Sequence, residues 1–356
     1  MDTEKIVYIS YIDESILSSG SSVRHNTILK NLLKKYDVIS LTGNQLTKKR
    51  KEKYKDVIKK VKQENIQFCY IESPTYPILK HYDRKLIKTI HRKKIPMGYF
   101  YRDFYRKFPN EFPRRKGFVN RLKELYLSFN QFLTDIVIKN CDIVYFPSEE
   151  CKALFKYKKM DALPPACEKG LFKQKEANYV GIYVGGISEE YNVKLLFDVY
   201  DRLFEINKKY KLILICRSSE WEAMKDELGE REWLEVYHLK SSELSSKYKV
   251  ASYALSPKAK TPYNEFAISY KTFEYMSYGL PQIVVNSRAI ERFINNEKIG
   301  MAVNPNVDEF VSSIVELNEN HHLYHELQNN IFCAIDNNSW SSRIEKIARD
   351  LKNLEG

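Results

Sequence analysis

Short runs of β-branched and aromatic residues recur along this chain, and helix-like stretches separate each from the next. In the first half they span residues 5–10, 37–41, 66–71, 96–101 and 142–146; in the second, 179–186, 211–216, 235–238, 251–255 and 282–285. Most are apolar at consecutive positions, so both faces of each strand need cover. Helices that alternate with such strands supply it and make the strands run parallel. The fold class expected is α/β, with ligands at the carboxyl ends of the strands. At 356 residues the chain exceeds one typical core, so two such domains in tandem are expected. An irregular, lysine-rich stretch between Phe155 and Tyr179, with Pro164-Pro165 inside it, reads as the linker and puts the boundary near Glu168.

Composition removes several function classes. No apolar run approaches the ~18 residues of a membrane span. The chain enters a strand almost at once, and a cytoplasmic location is expected. The six cysteines are scattered without a C-x-x-C pair, which argues against a disulfide framework or a zinc site. There is no glycine fingerprint for a dinucleotide, no Walker loop and no Asp-x-Asp pair, so metal-free chemistry without a cofactor is the expectation. The net charge of +12 is lopsided: residues 1–160 carry 34 lysines and arginines against 17 acidic residues, the remainder 24 against 29. Only the first half therefore faces an anionic partner, with nucleic acid and an anionic membrane surface as candidates. Nucleic acid rests on charge alone, since no recognisable module accompanies it. Between Lys48 and Lys62 the lysines read as a solvated helix face.

Residues that carry chemistry gather at strand ends. After the first strand, Ser18-Ser19-Gly20-Ser21-Ser22 leads into a helix. Gly20, Ser21 and Arg24, joined by Arg102 from a later strand end, make a candidate acceptor or phosphate site, a flexible linker being the alternative for the loop. After the fourth strand, Arg102 and Asp103 stand among aromatics. Asp103 is the candidate acid–base or charge-stabilising group, unless it forms a structural pair with Arg102 or Arg106. From Phe112 to Leu133 basic and apolar residues interleave, beginning with Arg114, Arg115 and Lys116. That composition suits a helix lying on anionic lipid, or one packed on its own domain. In the second half, Gly185-Gly186 closes a strand where a backbone can approach a ligand or simply turn, and Arg217 ends the next. Ser269 caps a short helix that Gly279 and Pro281 stop. On it Phe273, Met276 and Leu280 share one face, and Lys271, Glu274 and Tyr278 another. Lys271 at a helix N-terminus suits a diphosphate and Glu274 the ribose hydroxyls; the alternative is a surface ion pair.

The segments Tyr183-Val184-Gly185-Gly186-Ile187 and Lys271-Thr272-Phe273-Glu274-Tyr275-Met276, with Gly279-Leu280-Pro281 and Trp340, resemble family-4-like glycosyltransferases of the GT-B fold. Asp142-Ile143-Val144, Pro147-Ser148-Glu149 and Leu163-Pro164-Pro165 resemble the way that family's first domain ends. The resemblance implies two Rossmann-like domains facing across a cleft. Residues 1–168 would take the acceptor, with the helix 340–356 packing back on them, and 169–339 the nucleotide-sugar. It implies Glu274 on the ribose, Lys271 and Arg217 on the diphosphate, and the Gly185-Gly186 backbone along the donor pocket. Two departures stand out. Where the family carries E-x7-E, Phe266 stands eight residues before Glu274, with Glu265 one position early; and residues 186–191 lack the family's Arg and Lys. The expected function is metal-independent transfer of a sugar from a nucleotide-diphosphate donor to a saccharide or lipid-linked acceptor. The expected setting is bacterial surface-polysaccharide synthesis, with peripheral attachment to the inner face of the plasma membrane. A non-catalytic GT-B-like partner or glycan-binding subunit is the alternative that the missing residues suggest.

Overall fold

A computed structural model of the chain describes residues 3–13, 20–113 and 116–354. The chain divides into two compact units, Met1–Pro165 with Trp340–Gly356, and Ala166–Ser339. In the first, the apolar runs form strands β1 (Lys5–Ile9), β2 (Asp37–Leu41), β3 (Phe68–Glu72), β4 (Met97–Phe100) and β5 (Ile143–Phe146), joined by β6 (Met160–Ala162). Helices α1 (Gly20–Leu33), α2 (Lys48–Gln63), α3 (His81–Arg92) and α4 (Phe118–Ile138) connect them. The sheet is parallel throughout, in the order β2-β1-β3-β4-β5-β6. Every residue of β3, β4 and β5 is buried, which is why these runs carry no polar alternation. Strand β6 lies inside the stretch expected to be linker. Its three residues are only half-buried and are held by pairing with β5, Phe146 opposite Ala162, so no apolar run announces it.

Helix α2 spans the lysine-rich segment and exposes most of its lysines, with Val57 and Val61 turned inward. One cation in it departs from the solvated face. Arg50 is buried, donates to both Asp83 oxygens from Nε (3.1 and 3.4 Å) and reaches the Gly43 carbonyl at 2.8 Å. Its charge is tolerated inside because a carboxylate and several carbonyls satisfy the guanidinium together.

The second unit repeats the plan. Strands β7 (Val180–Val184), β8 (Lys211–Ile215), β9 (Leu234–Tyr237), β10 (Tyr253–Ser256), β11 (Gln282–Val285) and β12 (Gly300–Val303) pair in parallel in the order β12-β11-β10-β7-β8-β9. They alternate with α5 (Val193–Ile206), α6 (Ser218–Leu228), α7 (Leu244–Val250), α8 (Tyr270–Ser277), α9 (Arg288–Glu297), α10 (Val307–Glu319) and α11 (His321–Asn337). Leu196, Tyr200 and Leu203 of α5 pack with Trp233 and Tyr210 on one face of the sheet, while Tyr248, Tyr275 and Leu280 cover the other. The strand order places the ends of β7 and β10 at the centre of the sheet, where connections depart to opposite sides. That is the crevice at which parallel sheets bind ligands. Strand β12 begins at a glycine and has no fully buried residue, so it too escaped the sequence pattern.

After Ser339 the chain returns to the first unit as α12 (Trp340–Lys352). Ile344, Ile347 and Leu351 are buried there, and the Tyr145 hydroxyl donates to Asp350 at 3.2 Å. Gly98 in β4 makes room for this helix: a Cβ at that position would lie 3.0 Å from the Tyr145 ring and 3.3 Å from Leu351.

The end of α8 follows its sequence. Gly279 takes a left-handed φ of 70°, its amide donates to Met276 O (3.0 Å), and the Leu280 amide donates to Tyr275 O (3.1 Å). This double closure satisfies the last carbonyls and turns the chain straight into β11. Replacing Gly279 by Ala forces a Cβ into a left-handed backbone and to within 2.7 Å of the Phe172 ring. Gly279→Ala is expected to lower stability by about 1–2 kcal/mol, read as a drop in the urea midpoint; an unchanged midpoint contradicts this account of the turn.

Candidate active site

In the first unit, polar residues cluster just beyond the carboxyl ends of β1, β3 and β4. Ser10 follows β1, Glu72 ends β3 with Ser73 after it, and Arg102 and Asp103 follow β4. Helix α1 brings Arg24 and His25 over them. Glu72 is fully buried; Tyr70 Oη donates to it at 2.7 Å and Arg24 Nε at 3.1 Å. Arg24 also donates to the Leu163 and Pro164 carbonyls and stacks over Phe100 at 3.7 Å. Burial works against ionisation of Glu72, but Arg24, then His25, Tyr70 and Arg102, outweigh it and hold the carboxyl below its ordinary range.

His25 shows the reverse balance. Burial pushes its imidazole down to about 4; Glu72, 3.8 Å away, only partly offsets that, and Arg102 and Arg24 add to the depression. The ring is therefore neutral at pH 7. Its Nε2 lies 3.0 Å from Arg102 Nη1, which can only donate, so the ring proton sits on Nδ1 and points to Ser10 Oγ at 2.9 Å. Arg102 in turn donates from Nε to Asp103 Oδ2 at 2.8 Å, from its amide to Ser73 Oγ at 3.0 Å, and from Nη2 to Thr75 Oγ1. The chain Ser10–His25–Arg102–Asp103 thus fixes the Asp103 carboxylate at the rim of the sheet.

In the second unit, charged residues and glycines gather where strands end and helices begin. Ser269 Oγ accepts from the Lys271 amide at 3.2 Å and starts α8. Lys271 Nζ lies 2.5 Å from Glu274 Oε2 and 3.4 Å from Tyr248 Oη, with both charged groups half-buried. Helix α8 is anchored to the end of β7 where the Val184 amide donates to Tyr275 Oη at 3.0 Å. That bond sets the Lys271–Glu274 pair relative to Gly185 and Gly186. These glycines admit two tyrosines: a Cβ at Gly185 would fall 2.7 Å from Tyr183 Oη, and one at Gly186 would fall 2.3 Å from the Tyr191 ring. Arg217 is well exposed at the N-cap of α6 and pairs with Glu220, whose other oxygen accepts from the Ile187 amide at 3.2 Å. The cation and the glycine loop are therefore linked through one carboxylate.

Several expected residues stand elsewhere than the sequence suggested. Gly20 and Ser21 begin α1, while Ser18 and Ser19 lie outside the described residues. Arg24 is spent on Glu72 and two carbonyls, which corrects its reading as a phosphate ligand of an open loop. Asp103 takes Arg102, not Arg106, as its partner; Arg106 turns to Ser128 at 2.7 Å. Arg114 and Arg115 lie outside the described residues, and Lys116 is exposed. Glu265 is committed to the Arg288 amide at 2.9 Å, where α9 starts, and Phe266 stands half-buried in a turn. Among the described residues, no three of His, Cys, Asp and Glu gather in a group that could hold a metal ion. Ser10, His25, Glu72 and Ser73 escaped the sequence reading. Ser10 and Glu72 each close an otherwise apolar run, the one signal available, while His25 on α1 gave none.

The depressed His25 has a measurable consequence. Between its folded value of about 4 and an ordinary value near 6.5, the unfolded chain binds a proton that the folded chain refuses. Stability therefore rises with pH across that window and is lost as pH falls through it. His25→Asn is expected to remove this part of the slope, by up to about 3 kcal/mol, in urea midpoints measured from pH 4 to 7. An unaltered slope contradicts a buried neutral imidazole.

With this geometry in view, residues 178–320 match the family described as Glycosyl transferases group 1. No curated relative matches the chain. Among solved structures, a chain of the GtfA/B complex shares 14% identity at a TM-score of 0.57, over 85% of this chain and 61% of that one. The E. coli trehalose-6-phosphate structure bound with UDP-2-fluoro glucose shares 10% identity at a TM-score of 0.63, over 98% and 99%. The S. aureus MnaA–UDP structure shares 13% identity at 0.54, over 97% and 94%. At such identities the likeness is one of fold. The second unit carries a glycosyl transferases group 1 domain, and the chain has the two-sheet GT-B architecture.

Proposed function

We propose that this protein is a metal-independent glycosyltransferase that moves a sugar from a nucleotide-diphosphate donor to a saccharide or lipid-linked acceptor. The observation that carries this is the Lys271–Glu274 pair on the first turn and a half of α8, a helix bonded to the end of β7 and lying inside the group 1 domain. Departure of a nucleoside diphosphate leaves negative charge that fixed cations and amides can neutralise. Lys271 at the α8 N-terminus and Arg217 at the α6 N-terminus are assigned that role, with the Gly185-Gly186 backbone along the sugar. Glu274 is assigned the ribose hydroxyls, as an acceptor-only group beside a cation. That UDP or a UDP-sugar is bound in two structures of the same fold supports a nucleotide ligand here.

The first unit is read as the acceptor side, with Asp103 as acid–base or charge-stabilising group held in place by Arg102. Contact with an anionic membrane surface, on the cytoplasmic face and in surface-polysaccharide synthesis, belongs to the same reading. Helix α4 supports it: Phe118, Leu122, Leu125, Phe129 and Phe132 are all more than half exposed on one side, with Lys116, Arg121 and Lys123 exposed beside them. Among the described residues, no helix is long and apolar enough to cross a membrane.

Titration calorimetry with a panel of nucleoside diphosphates tests the donor site. Binding of one of them is expected, weakened about tenfold or more by Glu274→Ala and by Lys271→Met; unchanged affinity in both variants removes the pair from the site. A glycan-binding subunit without donor chemistry is the second reading, drawn from the engagement of Glu265 with Arg288. It predicts no nucleotide binding at all. Asp103→Asn is expected to lower kcat by about 10²–10⁴ while leaving nucleotide affinity unchanged; full turnover would make Asp103 structural.

A further inference from the structure

The first unit contains a cavity of about 1060 Å³ between α4, the segment after β4 and the segment after β5. A small-molecule pocket is usually about 300–1,000 Å³, mostly apolar, with a few convergent polar groups. Here Tyr101, Phe104, Phe112, Phe132, Phe155 and Tyr157 form the apolar walls. Phe155 is central to them, with ring centroids 4.8 Å from Tyr101, 6.4 Å from Phe104 and 6.2 Å from Tyr157. Phe132 and Ile136 line the cavity and are also exposed on α4, so its apolar wall continues into the apolar outer face of that helix.

Charge around the cavity is unequal. Of its three carboxylates, Asp103 is paired with Arg102, and Glu124 lies 3.7 Å from Arg106. Asp135 accepts from Gln131 Nε2 at 2.8 Å and feels Lys107, Lys139 and Arg106, while Lys123 and Lys156 also line the site. Burial pushes the Asp135 carboxyl up, against the pull of Gln131, Lys107, Lys139 and Arg106. A neutral hydrocarbon would have no use for these lysines, and a free sugar phosphate none for six aromatic walls.

We infer that this cavity holds the hydrocarbon chain and the phosphate of an amphiphilic acceptor, a saccharide carried on a lipid phosphate. The inference rests on the transferase reading and narrows its acceptor from saccharides in general to the lipid-linked class. It also gives the exposed side of α4 a purpose, because a chain leaving a membrane surface would meet Phe132 and Ile136 at the entrance. Asp103 on the cavity wall then stands where the carried sugar would emerge.

Octyl, decyl and dodecyl phosphate, each below its micelle concentration, can be titrated into the full chain by calorimetry, with dodecyl maltoside and inorganic phosphate as controls. Affinity is expected to rise about fourfold per added methylene, to favour dodecyl phosphate over the maltoside by at least tenfold, and to vanish for inorganic phosphate. Phe112→Gln and Phe132→Gln should each weaken dodecyl phosphate several-fold. Leu125→Gln, on α4 but outside the cavity, should leave it unchanged. Lys107→Met combined with Lys139→Met should abolish the preference for phosphate over maltoside. Affinity independent of chain length, or loss in Leu125→Gln without loss in Phe112→Gln, overturns the inference, the second outcome placing the chain on the outer helix face. Nucleoside diphosphate binding in the same preparation separates the two proposals. If nucleotide binds and no alkyl phosphate does, the cavity proposal alone fails; if alkyl phosphate binds and no nucleotide does, the cavity ligand stands and the transferase reading falls.

Discussion

Glu72 sits at the end of a strand buried on both faces, with no access to water. A carboxylate in that position costs several kcal/mol unless a cation and further donors reach it. Arg24 supplies the cation, and to do so α1 must lie over the ends of β1 and β3. The same guanidinium then takes the Leu163 and Pro164 carbonyls, fixing the chain where it leaves the first unit. His25, next in sequence, is carried into place with it and orients Arg102, which orients Asp103. One buried charge thus sets the position of a helix, an exit segment and the rim carboxylate. Losing either partner would strand the other, at about 3–5 kcal/mol.

The second unit meets its constraint differently. Its charged pairs at the strand ends, Lys271–Glu274 and Arg217–Glu220, are short-range partners on single helix turns and retain contact with solvent. Such pairs add little stability, so their value lies in where they are. Each stands at the start of a helix beside a strand end, and the Tyr275–Val184 bond ties one of them to the glycine loop. A diphosphate offers both cations a better partner than a single carboxylate does, since its charge also meets the helix amides.

Much of this was legible from local pattern. The lysine-rich run from Lys48 to Lys62 lies in helix α2, and the turn at Gly279 follows from a glycine before Leu280-Pro281. Phe273, Met276 and Leu280 are fully buried as their spacing implied, while Lys271 and Glu274 share the more open face. What the sequence hid depends on distant partners. Ser10 and His25 are 15 residues apart and Arg24 and Glu72 48 apart, with nothing local to pair them. Arg50 looked like one more lysine-run cation until Asp83, 33 residues on, claimed it. Strands β6 and β12 are short and half-buried, so backbone pairing defines them more than side chains do. For α4 the sequence left two outcomes open, and exposure of its apolar side decides against full packing within its own unit.

The central claim is that the second unit delivers a sugar from a nucleotide diphosphate. Incubating the full chain with a panel of nucleotide-sugars in EDTA, and measuring nucleoside diphosphate release by mass spectrometry, tests it most directly. The account predicts that one nucleotide-sugar is consumed, that its diphosphate appears in equal amount, and that Lys271→Met suppresses both. A folded protein that consumes none of the panel, or consumes one only when a divalent metal is restored, would contradict it.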